Sequence, residues 1–389
     1  MNTEPQKNAG LHIVLCAGGT GGHMFPALSL ASDLRQRGYQ VTLMTDQRGQ
    51  KFTTQFPAHE IKYVPAAPVG PGLIKRIKGI FILARGYFRA KRLLKKIRPE
   101  TVVGFGGYPS LPGLRAAQDC RIPTVIHEQN AVLGHANKFL APRADRIALS
   151  FPDRASLEDA DKIRAVITGN PVRNEISALA NNPYAAPEPG QTPYKLLVIG
   201  GSLGAHVFSE LIPKAIGFLP ESARQRLSIT QQCRAEDLEK VRGHYQEIGV
   251  QPEIATFFED FARLLSEAHL VIARAGASTV AELAAAGRPA IFIPYPHHAD
   301  RQQQRNASVL TERGGGWLMT EEHTTADVLA ARLAALMDEP ETLFRVAEAA
   351  RQCGRPDAAR RLGNLVTALA SGWDKDALAH LDYTQGFMD

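Results

Sequence analysis

At 389 residues and 44% hydrophobic content the chain is composed for globular packing but is too long for one ordinary core, which implies two domains. Four cysteines, Cys16, Cys120, Cys233 and Cys353, lie far apart with no C-x-x-C, so neither a zinc site nor a disulfide framework is indicated and a reducing compartment fits. Residues 1–10 lack an apolar signal core, and no uncharged apolar run of about 18 residues occurs, so the expectation is a soluble protein of the cytoplasm rather than a membrane-spanning one.

The first predicted element is a buried strand over 11–17, which empties into Gly18-Gly19-Thr20-Gly21-Gly22-His23 ahead of a helix expected to begin near Pro26. Such a turn lays amide N–H groups at a helix N-terminus, where anions bind. Met24 breaks a G-x-G-x-x-G fingerprint and no P-loop occurs, which weakens nicotinamide and Walker-type readings. Two readings of His23 stay open: a general base beside a bound anion, or a helix-cap or core-edge histidine. Residues 40–45 form the second strand of a βαβ unit, and Asp46 at its end is the carboxylate that a nicotinamide-dependent oxidoreductase would need for ribose.

Net charge is +6, yet residues 73–98 hold ten Lys or Arg and no acid, leaving the remainder of the chain at −4. Leu73, Ile77, Phe81, Ala84 and Phe88 recur at helical spacing among these cations. The half after the Gly/Pro-rich stretch 68–72 is expected to stay exposed and to dock on an anionic bilayer through Leu73, Ile77, Ile80 and Phe81, whereas residues 87–97 are expected to pack on their own domain. Apart from Tyr87 the aromatics do not interleave with the cations, so nucleic acid is not an expected partner.

Further strands at 101–104, 124–126 and 146–149 each run into a polar or glycine-rich turn: Phe105-Gly106-Gly107-Tyr108, then His127-Glu128-Gln129-Asn130, and after them Gly169-Asn170-Pro171-Val172-Arg173. Functional groups gathered at strand C-termini suit an open parallel sheet. Residues 181–193 carry four prolines and read as a linker. The opening theme then returns, a strand at 195–199 entering Gly200-Gly201-Ser202-Leu203-Gly204, which makes the chain a tandem of two similar α/β domains.

In the second half a strand over 270–273 gives way to Arg274-Ala275-Gly276-Ala277-Ser278-Thr279 and Glu282, small residues that let a diphosphate approach a helix start. Thr279-x-x-Glu282 is equally a capping box. The loop His297-His298-Ala299-Asp300-Arg301-Gln302-Gln303 leaves the next strand end on the same side, and two converging polar loops suit a sugar nucleotide. Asp159-x-Asp161 and Asp374-x-Asp376 match D-x-D formally but lie outside strand ends and read as coincidental.

Taken in order, these seven motifs resemble the MurG family, the peptidoglycan transferases that move N-acetylglucosamine onto lipid I, giving lipid II, at the inner face of the bacterial cytoplasmic membrane. The resemblance spans residues 11 to about 370 and implies an α/β GT-B architecture: two Rossmann-like domains facing across a cleft. Residues 1–173, with a C-terminal helix over about 356–389 packing back, would form the acceptor domain, and 174–355 the UDP-GlcNAc domain. By the same resemblance Ser202, Ala277, Ser278 and Thr279 hold the diphosphate, Glu282 the ribose, the backbone at Phe258 the uracil, and Gln302 and Gln303 the sugar. Thr20, Gly21, Gly22, Asn130 and Arg173 would close on the donor, while Gly18, Gly19, Gly106, Gly107 and Tyr108 receive the lipid diphosphate. His23 would take the proton of the muramyl 4-hydroxyl, with inversion. No cofactor is expected to be required and no metal site is assigned; a divalent cation is helpful at most. Implied partners are UDP-GlcNAc, the undecaprenyl-diphosphate-linked muramyl-pentapeptide and the anionic inner-leaflet surface. Two departures stand out: Leu203 replaces a frequent Gln, and Gln231-Gln232-Cys233-Arg234 replaces His-Gln-x-Gly. Transfer to diacylglycerol, epimerisation of UDP-GlcNAc and noncatalytic membrane-docked binding are the competing readings of the same architecture.

Overall fold

The computed structural model describes residues 10–68, 70, 72–152, 157–190, 193–201, 204–297 and 300–372. They form two compact units, one made of Met1–Arg173 with Asp357–Asp389 and the other of Asn174–Pro356.

The first unit is built on a seven-stranded, wholly parallel sheet: β1 His12–Cys16, β2 Gln40–Thr45, β3 Glu60–Tyr63, β4 Thr101–Gly104, β5 Thr124–Glu128, β6 Arg146–Leu149 and β7 Ala165–Ile167. Their spatial order is β3-β2-β1-β4-β5-β6-β7. The direction of winding reverses between β1 and β4, the place in such sheets where loops leaving the strand C-termini part and ligands bind. Both faces of β1 are covered, as its unbroken apolar run requires. Ile13 and Leu15 join one core with Met24, Leu30, Val103 and Phe105, while Val14 and Cys16 join another with Leu94, Val102, Leu114 and Ile126. The helix Ala358–Ala370 closes the first of these cores with Leu362, Leu365 and Val366. It is tied to the helix Gly21–Gln36 by Arg37, which donates to Asn364 Oδ1 at 2.7 Å and to the Arg360 carbonyl at 3.0 Å.

The second unit repeats the plan with β8 Tyr194–Ile199, β9 Leu227–Gln232, β10 Glu253–Ala255, β11 Leu270–Ala273, β12 Ala290–Phe292 and β13 Trp317–Leu318 in the order β10-β9-β8-β11-β12-β13, again all parallel.

Several expectations are corrected. The first helix begins at Gly21, not near Pro26: the bond Pro26 cannot make belongs to the carbonyl of Gly22, in the opening turn, where the loss is small. The presumed linker lies inside the second unit, where Tyr184 is buried and its hydroxyl donates to the His269 carbonyl at 2.7 Å. The basic segment is one helix, Leu73–Ile97, whose buried face is Gly79, Gly86, Ala90 and Leu94. Leu73 (74% exposed), Ile77, Ile80 and Phe81 (69%) face outward, but so does Phe88, in the half expected to pack. The rest of residues 87–97 packs as expected, with Ala90 and Leu94 fully buried and Tyr87, Leu93 and Ile97 against the same core, while at Gly86, where a side chain would collide with the Pro65 carbonyl oxygen, the helix docks by close backbone approach. No helix among the described residues is long and apolar enough to cross a membrane.

Candidate active site

In the first unit the loops after β1, β4, β5 and β7 meet. Gly19 (φ +81°) lets the first turn fold back so that its N–H donates to Asp46 Oδ1 at 3.2 Å. The same oxygen accepts from Gly49 N–H at 3.1 Å, and Arg48 pairs with Oδ2 at 2.8 Å. Asp46 is therefore spent on holding the glycine turn, which removes the ribose carboxylate from the oxidoreductase reading. Thr20 is the exposed residue before the helix, and Gly21 and Gly22 fall in its first turn, whose N–H groups lack intrahelical acceptors.

His23 stands on that first turn and meets the other loops. Its Nδ1 lies 3.1 Å from Gln129 Oε1, and Gln129 Nε2 lies 2.9 Å from His127 Nδ1. His127 Nε2 in turn reaches the Gly169 carbonyl at 3.1 Å. Burial holds His127 well below the usual imidazole range, at about 4, so it is neutral at physiological pH. The far nitrogen of His23, Nε2, faces the turn after β4: a Cβ on Gly107 would sit 3.2 Å from it. Gly106 (φ +75°) and Gly107 (φ +68°) thus serve both a left-handed backbone and a close approach, and Tyr108 follows, half-buried. No such bond makes His23 a helix cap, since Thr20 is the capping residue.

Glu128 is buried and organises the loop around Asn130. Its Oε1 accepts from Asn130 N–H and Nδ2 at 3.0 and 3.2 Å, and its Oε2 from Gly134 N–H and Asn137 Nδ2, both at 2.8 Å. Arg173 lies with its guanidinium 5.6 Å over the Phe25 ring. Asn170, buried nearby in sequence, has no hydrogen-bond partner among the described residues for either side-chain polar atom. Gln129, Glu128 and Asn170 lie within the motifs His127-Glu128-Gln129-Asn130 and Gly169-Asn170-Pro171-Val172-Arg173, neither of which by itself assigns them a role. Strand alternation was the available signal, since it sets His127 and Gln129 on one side and Glu128 on the other.

In the second unit Ser202 and Leu203 lie outside the described residues, as do His298 and Ala299. Gly200 and Gly201 leave β8 in a tight turn braced by Gln232, which accepts from Gly200 N–H at 3.2 Å and donates to the Thr256 carbonyl at 3.1 Å. Phe258 follows the end of β10. After β11 the helix Ala277–Ala286 is capped by Gly276. Thr279 and Glu282 are its third and sixth residues, so the capping box is not formed. Ser278 Oγ is buried with no hydrogen-bond partner among the described residues.

Gln303 joins the two polar loops: its Oε1 accepts from Ala275 N–H at 3.2 Å and from Tyr295 N–H at 2.9 Å. That oxygen is committed to the backbone. Gln302, half-buried beside it, opens the helix Gln302–Thr311. Arg274 is buried and donates to the Ile293 and Pro294 carbonyls at 3.0 and 2.9 Å, a brace for the end of β12. Asp159 pairs with Lys162 at 2.7 Å and Asp161 with Arg164, which accounts for one D-x-D; the other lies outside the described residues.

These strand-end loops coincide with known sequence families. Residues 13–149 match the glycosyltransferase family 28 N-terminal domain and 195–362 the family 28 C-terminal domain. A Rhodospirillum centenum protein named UDP-N-acetylglucosamine--N-acetylmuramyl-(pentapeptide) pyrophosphoryl-undecaprenol N-acetylglucosamine transferase is 50% identical over 361 residues, 92% of this chain and 94% of its own length. A Rhizobium meliloti protein of the same name is 46% identical over 92% of this chain and 96% of its own. The chain belongs to the MurG family. The crystal structure of Acinetobacter baumannii MurG superimposes with a TM-score of 0.74 at 31% identity, over 92% of this chain and 99% of that one. Beyond the MurG proteins, a Neisseria meningitidis UDP-GlcNAc 2-epimerase bound to UDP-GlcNAc has a TM-score of 0.65 at 11% identity, over 92% of this chain and all of that one, and shares the fold alone.

Proposed function

We infer that the protein transfers N-acetylglucosamine from UDP-N-acetylglucosamine to the 4-hydroxyl of the muramyl sugar on an undecaprenyl-diphosphate-linked muramyl-pentapeptide. The observation that carries this is identity of 45–50%, over 92–93% of this chain, to relatives named for an N-acetylglucosamine transfer of this kind. The donor belongs to the second unit. Its diphosphate would meet the N-terminus of the helix Ala277–Ala286, where dipole, backbone N–H groups and the Ser278 hydroxyl, unpartnered among the described residues, suit an anion. Glu282, nine-tenths buried on the same helix, is the proposed ribose partner. The acceptor belongs to the first unit, with its diphosphate at the glycine turns 18–22 and 106–107.

In the reaction His23 Nε2 takes the 4-hydroxyl proton as that oxygen bonds to the anomeric carbon. The bond from that carbon to the diphosphate breaks with inversion, and UDP leaves with the electron pair. Amide groups facing the leaving diphosphate carry its charge without a required metal. The exposed face Leu73, Ile77, Ile80 and Phe81, flanked by Lys75, Arg76 and Lys78, is proposed to rest on the anionic cytoplasmic face of the inner membrane as a peripheral contact. The test is UDP release by purified protein: it should require both UDP-N-acetylglucosamine and the lipid-linked acceptor. Release without acceptor, or none with both, would reject the assignment.

A further inference from the structure

The hydrogen-bond chain behind His23 has a direction. Gln129 Nε2 lies 3.3 Å from the His127 carbonyl oxygen as well as 2.9 Å from His127 Nδ1. A carbonyl can only accept, so the amide nitrogen occupies that side and the amide oxygen is turned to His23. At the other end His127 Nε2 faces the Gly169 carbonyl, also an obligate acceptor. His127 therefore carries its proton on Nε2 and offers the Nδ1 lone pair to Gln129. Two backbone carbonyls leave one pattern for the whole chain: His23 must donate from Nδ1 to Gln129 Oε1 at 3.1 Å.

We propose that Gln129, held by His127, is a positioning residue that fixes His23 in the Nδ1–H tautomer, so that the lone pair stands on Nε2 toward the Gly106–Gly107 turn. A neutral imidazole with the opposite proton placement would present an N–H to the acceptor hydroxyl and could not take its proton. Gln129 and His127 are both buried, so water does not compete for the bonds between them. After proton transfer the imidazolium keeps its Nδ1–H bond to Gln129, and no atom of the chain has to move. This inference rests on His23 acting as the base.

The test uses the full-length protein with ¹⁵N-labelled histidine. Wild type should show a protonated Nδ1 and an unprotonated Nε2 for His23, assigned by loss of those resonances in His23→Ala. Gln129→Leu keeps the bulk and removes both amide functions: the His23 tautomer should shift toward Nε2–H, and kcat should fall roughly tenfold to hundredfold with both KM values held, part of the roughly 10²–10⁴-fold that a positioned base supplies. Gln129→Glu retains an acceptor for Nδ1–H in either protonation state and should recover the tautomer and most of the lost turnover. A wild-type His23 protonated at Nε2, or a tautomer unmoved by Gln129→Leu, overturns the proposal whatever the activity. A tautomer that shifts while kcat does not would leave the hydrogen-bond assignment standing and overturn the base reading, and the catalytic part of the proposal with it. Thermal unfolding of each variant separates these results from a fold that has failed.

Discussion

Asp46 and Gly19, at the ends of neighbouring strands, are joined by a hydrogen bond from the glycine N–H to the buried carboxylate at 3.2 Å. The same oxygen also accepts from Gly49 N–H, which keeps its second bond to the Asp46 carbonyl at 3.1 Å, so Asp46→Ala strands the Gly19 donor and weakens the hold on Gly49. The expected loss is about 1–3 kcal/mol in urea unfolding, with turnover reduced as the glycine turn loosens. Asp46→Asn keeps an acceptor and should lose less on both measures.

His23→Ala should lower kcat roughly 10²–10⁴-fold while UDP-N-acetylglucosamine affinity, measured by titration calorimetry, stays near wild type. The second unit supplies the proposed nucleotide contacts, so a parallel loss of affinity would count against the division of roles between the units.

His127 gives stability a pH dependence of definite sign. Burial lowers its folded-state pKa to about 4 from 6.5, so the unfolded chain binds a proton over the interval that the native protein refuses. Stability attributable to this group is complete above pH 6.5, falls as pH drops toward 4, and changes no further below that. The span is about 3 kcal/mol. Urea unfolding at several pH values should show this slope in wild type and a shallower one in His127→Gln.

Replacing Ile77 and Phe81 by serine removes two large exposed side chains, each contributing about 1.5–3 kcal/mol if fully buried in lipid. Cosedimentation with anionic vesicles should weaken at least tenfold, whereas turnover on a short-chain, water-soluble acceptor should not change. Equal vesicle binding would dismiss the membrane role of this face.

Gly86→Ala pushes a methyl into the Pro65 carbonyl oxygen, and Gly113→Ala pushes one into Cys16 Sγ. Either should destabilise by about 1–3 kcal/mol in urea unfolding, since the Pro65 carbonyl is fixed backbone and the Cys16 thiol is fully buried in packed core.

The same helix shows where sequence reading reaches its limit. Strands such as β1 and β8 are legible because an unbroken β-branched run ending in glycine has few other folded uses. In the first half of Leu73–Ile97 the face that packs is written in Gly79 and Gly86, residues nearly silent in hydropathy, while Leu73, Ile77, Ile80 and Phe81 point outward; only toward the end does an apolar side chain, Leu94, mark the buried side. Edge strand β3, Glu60-Ile61-Lys62-Tyr63, is half charged and gives no run to notice. At the site the glycine turns and His23 are visible as local patterns. The partnership of His23 with Gln129 is not, because 106 residues separate them and only the sheet order brings β1 and β5 to the same end. The capping box failed for a local reason: Gly276 could begin the helix three residues earlier than Thr279, and the small Ala277 and Ser278 do not oppose it.

That Leu362, Leu365 and Val366 seal the core begun by Ile13 and Leu15 has a bearing on biosynthesis. A ribosome must complete all of Asn174–Pro356 before it delivers the helix that finishes what the opening strands started. At bacterial elongation rates the wait is roughly 10–40 s. During that interval one flank of the nascent sheet stays greasy and uncovered while the later unit is being made, and that unit is complete before the closing helix arrives. The nascent chain should therefore engage chaperones through its earliest-made half, and trimming a few codons before Leu362 should cripple that half first.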